Sequence, residues 1–264
     1  MSRRVLQWCV LAACSTSVCF GQGKRGYNVT VDVAPPGEER RLQRGLWDAE
    51  VSFKSMRMIE SDVKDAKGNV KRELFWYLCY RIVRRPIEQI SVDVTLAPEN
   101  TFDKTPESVL APEFALVTDD NGSQETHPDE ILPQVQRDIE KREKQKFNNS
   151  VEIVGALPAT TPLGATTLNA KYGVAIWRGV DLRTDRFKVF MTGLSNGYKI
   201  GKDPDGAPLY LRKTLVQEYW RPGDRFNPSE REIRAKGDPV WLYRADPAKR
   251  PAGTPAAAPA KAAE

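Results

Sequence analysis

The sequence predicts a mainly β fold, an antiparallel β-sandwich of roughly eight strands with one inserted amphipathic helix. Apolar and polar residues alternate with a period of two in several segments, which is the pattern of strands with one buried face. One segment is apolar on both faces, as the central strand of such a sandwich would be. A single further stretch has helical spacing of its apolar residues.

The first strands are predicted in the N-terminal part of the chain. Residues 27–33 and 47–53 alternate apolar and polar side chains, so each segment is predicted to bury one face. After Phe53 the apolar positions resume at Met56, an odd number of residues further on. A β-bulge near Lys54 would return these side chains to the buried face, and we predict one there.

The central strand is predicted at residues 74–83, which are apolar on both faces and rich in aromatic side chains. A polar hairpin turn at 67–69 precedes it, and an alternating strand is predicted after it at 90–96. A shorter strand at 114–118 ends at Asp119-Asp120-Asn121-Gly122, a strong turn signal.

The helix is predicted at about 129–147, where the apolar residues form one stripe. Pro133 is compatible with a helix only in its first turn. Oppositely charged residues four apart, such as Asp138 and Arg142, support the helix. We therefore expect one stripe to pack against a sheet and the charged side to face solvent.

The second half of the chain supplies four more predicted strands, at 174–180, 187–191, 209–220 and 239–244. The strands on each side of the helix are too few to bury their aromatic residues separately, so one domain over 27–244 is predicted. Residues 245–264 carry prolines every fourth position among alanines. They are predicted to form an extended, disordered tail.

Residues 1–22 have the composition of a secretory signal peptide. Arg3 and Arg4 precede an apolar run, and small and polar residues begin at Gly21. The run is shorter than the roughly 20 apolar residues of a spanning helix. Three interpretations remain open: cleavage and free secretion, an uncleaved anchor, or lipidation at Cys14, because Leu-Ala-Ala-Cys ending at that residue resembles a bacterial lipobox.

Three of the four cysteines lie in this leader, so cleavage after Gly21 would leave Cys79 alone. One cysteine forms no internal disulfide, even in an oxidising compartment. Its surroundings are the most apolar of the chain, and we predict a buried, unreactive side chain rather than a nucleophile.

The charge of the chain argues against nucleic acid as a partner. The net charge is +5, of which Arg3 and Arg4 contribute two, so about +3 remains after processing. Basic and acidic residues are interleaved along the chain, whereas a nucleic-acid footprint needs a clustered positive face.

Three patterns resemble functional motifs without meeting their structural requirements. Residues 21–26 match a dinucleotide-binding glycine pattern, but the predicted signal peptide precedes them and a strand follows. The turns at 119–122 and 203–206 resemble calcium loops. Their first ligand positions would be Val117 and Gly201, which lack side-chain oxygens. We therefore predict no cofactor and no metal site.

His127 is the only histidine and is predicted to be a solvent-exposed loop residue. A zinc site or a Ser-His-Asp arrangement would depend on this one imidazole. The 35 acidic residues offer many carboxylate pairs, so hydrolysis by paired carboxylates remains an alternative.

The order of the predicted elements resembles the immunoglobulin-like modules of bacterial secreted proteins and lipoproteins. The residues that carry the resemblance are an aromatic strand at 75–83, the segment 114–117 with its turn, and the segments 173–176 and 187–190. It covers residues 72–195, and the inserted helix departs from a plain module. The resemblance implies a β-sandwich used for binding or spacing, and it implies no functional residues.

These observations favour a non-catalytic exported protein of the envelope or cell surface that acts by binding or as a structural element. We expect it in the periplasm, attached to the outer membrane or outside the cell. Its partner would be a protein or an envelope polymer, with membrane contact only through a lipid at Cys14. The alternative is an extracytoplasmic hydrolase that uses paired carboxylates.

Mass spectrometry of protein isolated from its native host should show that the leader has been removed. We expect a mature N-terminus near Gln22, or an acylated Cys14 as the first residue. A soluble product that retains Met1 would contradict both outcomes.

Overall fold

The computed structural model describes residues 26–33, 37–43, 45–64, 67–86, 108–120, 124–223, 227 and 229–245. Half of these described residues are in strands and the sheets are antiparallel, so the mainly β prediction is confirmed. The elements in chain order are β1 (Val29–Val31), α1 (Gly37–Leu42), β2 (Glu50–Phe53), β3 (Arg57–Lys64), β4 (Val70–Val83), β5 (Val109–Leu110), β6 (Glu113–Thr118), β7 (Thr126–Pro128), α2 (Pro133–Glu143), β8 (Gly155–Ala156), β9 (Ala170–Arg178), β10 (Arg186–Thr192), β11 (Tyr198–Lys202), β12 (Pro208–Trp220) and β13 (Arg234–Ala245).

Sheet 1 consists of β1, β2, β3, β4 and β9, with β4 at its centre. Strands β2 and β3 pair with the same edge of β4, and β9 pairs with the other edge. From Phe53 to Arg57 the chain advances four residues, while its partners Tyr80 and Tyr77 on β4 are three apart. This extra residue is the bulge predicted near Lys54.

Sheet 2 consists of β6, β7, β10, β11, β12 and β13. Strands β10 and β11 pair with one edge of β12, and β13 pairs with its other edge. Strand β6 pairs with β10, and the short strand β7 pairs with β6. A separate ladder of two strands joins β5 to β8.

The main apolar core lies between the two sheets. Trp76, Leu78 and Tyr80 of β4 share one buried cluster with Phe187 and Leu215 of sheet 2. This arrangement is consistent with a β-sandwich. Strand β9 follows α2 yet pairs with β4, so each sheet combines strands from before and after the helix.

A second core covers the opposite face of sheet 1. Val135 and Ile139 of α2 pack with Phe75, Tyr77 and Cys79 of β4. Because β4 is covered on both faces, its side chains from Phe75 to Tyr80 are apolar or aromatic without alternation. The central strand predicted at 74–83 and the helix packed against a sheet are therefore confirmed.

Helix α2 is shorter than the predicted 129–147. The N–H groups of Asp129 and Glu130 donate to the carbonyls of Phe114 and Ile176, so these residues extend the sheet contacts instead of starting the helix. Pro133 is the first helical residue, where its missing N–H has no cost. The helix ends because Lys144 takes a left-handed conformation (φ 55°).

Other predicted features vary in outcome. The turn at 67–69 lies between β3 and β4, with Gly68 at φ 83°. The segment 203–206 is a turn between β11 and β12, in which the Asp203 carboxylate accepts hydrogen bonds from backbone N–H groups. The predicted strand at 90–96, the leader 1–22 with Cys14, and the tail after Ala245 lie outside the described residues.

We expect Trp76→Ala to lower the free energy of unfolding by about 3–5 kcal/mol, the usual cost of removing a large buried aromatic side chain. Trp76 is 1% exposed and packs edge-on against Phe187, with ring centroids 5.0 Å apart. Urea unfolding followed by circular dichroism measures the effect.

Trp220→Ala is the matched control, because Trp220 is partly exposed at the end of β12 and should change stability by only about 0.5 kcal/mol. Equal stability of the two variants would contradict the position of Trp76 in the core.

Candidate binding surface

The outer face of sheet 2 differs from that of sheet 1, because no helix of the described residues covers it. The buried clusters in the described structure lie between the sheets and between sheet 1 and α2. On β10 the side chains of Val189 and Met191 point into the main core, so Phe190 between them points outward. The same alternation assigns outward positions on each strand of sheet 2.

Apolar side chains cross this outer face in one row. The register places Ala115 of β6, Phe190 of β10, Val216 of β12 and Val240 of β13 side by side. Val240 is exposed, whereas Val216 is shielded by its neighbours. Solvated sheet faces usually carry polar residues, so this row indicates a contact surface.

Exposed aromatic rings lie along the same face. Tyr198 of β11 and Tyr210 of β12 are 50% and 60% exposed, and their ring centroids are 6.3 Å apart. Trp220, 38% exposed, lies at the other end of β12. In the described part of the chain these three are the aromatic side chains with strong exposure, and all belong to outward positions of sheet 2.

Basic residues outnumber acidic ones on these outward positions. Seven cations and two acids, Glu113 and Glu218, occupy these positions, which gives a net charge of +5. Asp238, in the bulge of β13, is the one further acid of that strand. The cations are Arg186, Lys188, Lys202, Arg212, Arg234, Lys236 and Arg244. Part of this charge is paired: Arg212 binds Glu113 at 3.4 Å, and Arg234 binds Glu232, which precedes β13, at 2.7 Å.

Several cations are held against aromatic rings. The Arg244 guanidinium lies 4.1 Å from the Phe190 ring centroid, and that of Arg234 lies 5.6 Å from Trp220. Lys188 and Lys236 both bind Glu218, at 2.8 and 3.4 Å, and these cations lower the pKa of that carboxyl. We call this surface, formed by the outward residues of β6 and β10–β13, the basic aromatic face.

A separate buried cluster surrounds Lys213 beneath the inner side of β12. Its ammonium binds Glu39 at 2.7 Å and Asp48 at 2.8 Å. Burial alone would raise the pKa of Glu39, but hydrogen bonds from Lys213 and Tyr243 bring it below its ordinary value. This carboxyl group is therefore ionised and is not a proton donor, although it lies near another carboxylate.

A second buried cluster connects α2 to the bulge of sheet 1. The Glu143 side chain is 1% exposed and accepts hydrogen bonds from Lys54 (3.1 Å), Arg57 (2.9 Å) and Tyr77 (2.8 Å). Burial would raise the pKa of Glu143, but these donors together hold it below the ordinary value. The bulge thus places Lys54 where it neutralises the end of the helix.

Asp129 has the opposite behaviour, because burial raises the pKa of its carboxyl group. Hydrogen bonds from the Ser150 side chain and from the Phe114 backbone offset this effect in part, and the nearby Glu113 adds to it. A carboxyl with a raised pKa is the kind of group that a hydrolase uses as a general acid.

A cleft of about 590 Å³ lies between α2 and β9. Its charged lining residues are already engaged: Glu140 binds Lys146 at 2.8 Å, and Lys171 donates to the carbonyl of Ile153. The backbone N–H of Asn149 lowers the pKa of Glu152. This cleft therefore has the composition of a solvated groove stabilised by one local ion pair and by hydrogen bonds.

The two reactive residues singled out in the sequence have different outcomes. Cys79 is buried as predicted, and burial raises the pKa of its thiol, which disfavours the nucleophilic thiolate. The prediction that His127 is a solvent-exposed loop residue is wrong. It belongs to β7 opposite Leu116, and this register turns the imidazole inward, where it is buried.

No cluster of three or more residues suited to metal binding occurs among the described residues. Neither helix in that part of the chain is both long and apolar enough to cross a membrane. Comparisons with protein families, with characterised protein sequences and with solved structures give no match to this chain. The functional proposal therefore depends on the geometry described above.

The basic aromatic face was missed in the sequence, although one signal was present. In β12 the residues Tyr210, Arg212 and Trp220 share one parity, opposite to that of the core residues Leu215 and Tyr219. Which parity faces solvent becomes clear only when the neighbouring strands are known.

We expect Glu143→Gln to lower the free energy of unfolding by about 3–5 kcal/mol at neutral pH, because it leaves buried Lys54 without its counter-charge and removes the ion pair with half-buried Arg57. The folded-state pKa of Glu143 is lowered, so its contribution is present above the ordinary glutamate pKa of about 4.3 and is lost as the pH falls through the folded value. Urea unfolding of both proteins across this range should show their difference shrinking in acid.

Lys141→Gln is the control for this experiment, because it breaks an exposed ion pair with Asp138 and should cost about 0.5 kcal/mol or less. A stability difference for Glu143→Gln that does not change with pH would show that packing, and not charge, is responsible.

Proposed function

We propose that this protein is an exported, non-catalytic binding protein of the cell envelope or cell surface, and that it binds its partner through the basic aromatic face. The observation that carries the proposal is the difference between the two outer sheet faces. Helix α2 covers one, while the other presents Tyr198, Tyr210 and Trp220 among excess cations. Large exposed apolar patches of this kind mark interaction sites.

The proposed location depends on the sequence of the leader. Arg3, Arg4 and the apolar run support export, and the lipobox-like sequence before Cys14 supports attachment to a membrane by a lipid as the alternative to free secretion. The proline-rich segment 245–264 would then act as a spacer between the domain and other envelope components.

We propose a single immunoglobulin-like sandwich over residues 27–244 as the scaffold. The chain passes from sheet 1 to sheet 2 after β4, returns through α2 to β9, and crosses again to β10. Repeated crossing between two antiparallel sheets supports this class of sandwich. The added helix and the long strands β12 and β13 depart from a plain module.

An extracytoplasmic hydrolase with paired carboxylates is the alternative, and Asp129 is the residue that favours it. Its raised pKa and the nearby Glu113 are the features that acid catalysis would use. In contrast, Glu39 and Glu143 are held ionised by lysine and arginine side chains. An Asp129→Asn variant that keeps envelope binding unchanged would separate the two functions.

We expect the double variant Tyr198→Ser, Tyr210→Ser to lose about tenfold or more of its affinity for the envelope fraction of the native host, since tenfold corresponds to only about 1.4 kcal/mol. Co-sedimentation of purified protein with that fraction measures the affinity. Both side chains are at least half exposed, so the fold should be unaffected.

The matched control removes exposed apolar residues elsewhere, by Val70→Ser together with Val151→Ser. Equal retention of the tyrosine variant and the control would mean that the basic aromatic face does not bind the envelope, and the proposal would fail.

A further inference from the structure

We infer that the partner of the basic aromatic face is a linear anionic polysaccharide that lies along strand β12. This inference rests on the proposed function, because it assumes that the face binds an envelope component. Its basis is the combination of length, charge spacing and exposed rings on one sheet surface.

The length of the face indicates a polymer. The outward positions of β12 run from Tyr210 to Trp220, ten residues apart, which at about 3.3 Å per residue is about 33 Å. Exposed rings lie at both ends of this distance. A small ligand could contact one end only, whereas an extended chain could contact both at once.

The spacing of the charges indicates separated anionic groups. The cations Arg212, Glu218-bound Lys188 and Arg234 recur along β12 and its neighbours, with apolar residues such as Val216 between them. Glu218 neutralises part of the positive charge within the face. Moderate, interrupted positive charge matches a polymer with an anionic group on some of its units better than it matches a continuous row of phosphates.

The exposed rings supply contacts for sugars. One face of a pyranose ring is lined with C–H groups and packs on aromatic rings, while its hydroxyl and carboxylate groups bind the cations beside them. Tyr198 and Tyr210, with centroids 6.3 Å apart, form such a platform next to Arg212, which pairs with Tyr198 across the strands.

A protein partner is less consistent with this surface. Protein–protein interfaces have a core depleted in charged residues, and lysine in particular is disfavoured there. Here Lys188 and Lys236 lie directly beside the apolar row of Phe190 and Val240. Single-stranded nucleic acid would also bind to exposed aromatic rings and cations. The proposed export, however, would separate the protein from the nucleic acid inside the cell.

The test measures binding of the full-length mature protein to two polyuronates, polygalacturonate and alginate, by isothermal titration calorimetry. We expect binding to polymers long enough to span β12 and at least about tenfold weaker binding to the corresponding disaccharides, which can contact one end only. Salt near 1 M should weaken binding, since it reduces the screening length to about 3 Å. Neutral dextran should not bind measurably.

Two variants test the two contributions. Arg234→Gln with Lys236→Gln removes charge from the face, and Tyr198→Ser with Tyr210→Ser removes the aromatic platform. Each should weaken polyuronate binding about tenfold or more. The control for charge, Lys71→Gln with Lys141→Gln, removes the same number of exposed cations elsewhere and should bind as the wild type does.

Poly-L-glutamate and a single-stranded DNA oligonucleotide are the competing probes. The inference would be overturned if poly-L-glutamate or the DNA oligonucleotide bound more tightly than both polyuronates. It would also be overturned if both variants kept the polyuronate affinity of the wild type. If neither polyuronate binds while envelope retention still requires Tyr198 and Tyr210, the inference fails and the proposed function stands. If envelope retention does not depend on the face, the proposed function itself fails.

Discussion

The burial of β4 on both faces is the constraint on which the rest of this structure depends. Trp76, Leu78 and Tyr80 face sheet 2, while Phe75, Tyr77 and Cys79 face α2. Both sets can be apolar only if a second sheet and a helix cover the strand from opposite sides. The close approach of β9 requires Gly173, because a Cβ there would overlap the Tyr80 ring. Burial of β4 on both faces therefore requires three layers, which are sheet 2, sheet 1 and helix α2.

The bulge between β2 and β3 connects the two-sided burial of β4 to the position of helix α2. It changes the facing of the chain by one residue, so that Lys54 and Arg57 reach the outer side of sheet 1. There they bind Glu143 at the end of α2. No helix of the described residues covers sheet 2 in this way, and its outer face exposes apolar and basic side chains such as Val240 and Lys236. Helix α2 covers the outer face of sheet 1 but not that of sheet 2, so the outer face of sheet 2 is the surface that we propose for binding.

Local features of this fold could be predicted from the sequence, and non-local ones could not. The two-faced apolar run at 74–83 and the odd spacing from Phe53 to Met56 are local patterns with a direct physical meaning. The partner of each strand is not local: Lys213 binds Asp48 across 165 positions. The polar neighbours of His127 in the sequence predict a position in solvent, whereas pairing of β7 with β6 turns its side chain inward. The outer face of sheet 2 was missed for the same reason.

The distribution of charge separates residues that stabilise the fold from those available to a partner. In the interior Arg221 donates to backbone carbonyls. The two buried lysines instead face carboxylates: Lys213 has Glu39 and Asp48, and Lys54 shares Glu143 with Arg57. Such matching is necessary because an unbalanced buried charge is strongly destabilising. On the basic aromatic face seven cations accompany two acids, an imbalance that the high dielectric of water tolerates. Part of this charge is balanced locally, since Arg212 binds Glu113 and Arg234 binds Glu232. The anionic partner proposed above would balance the remainder.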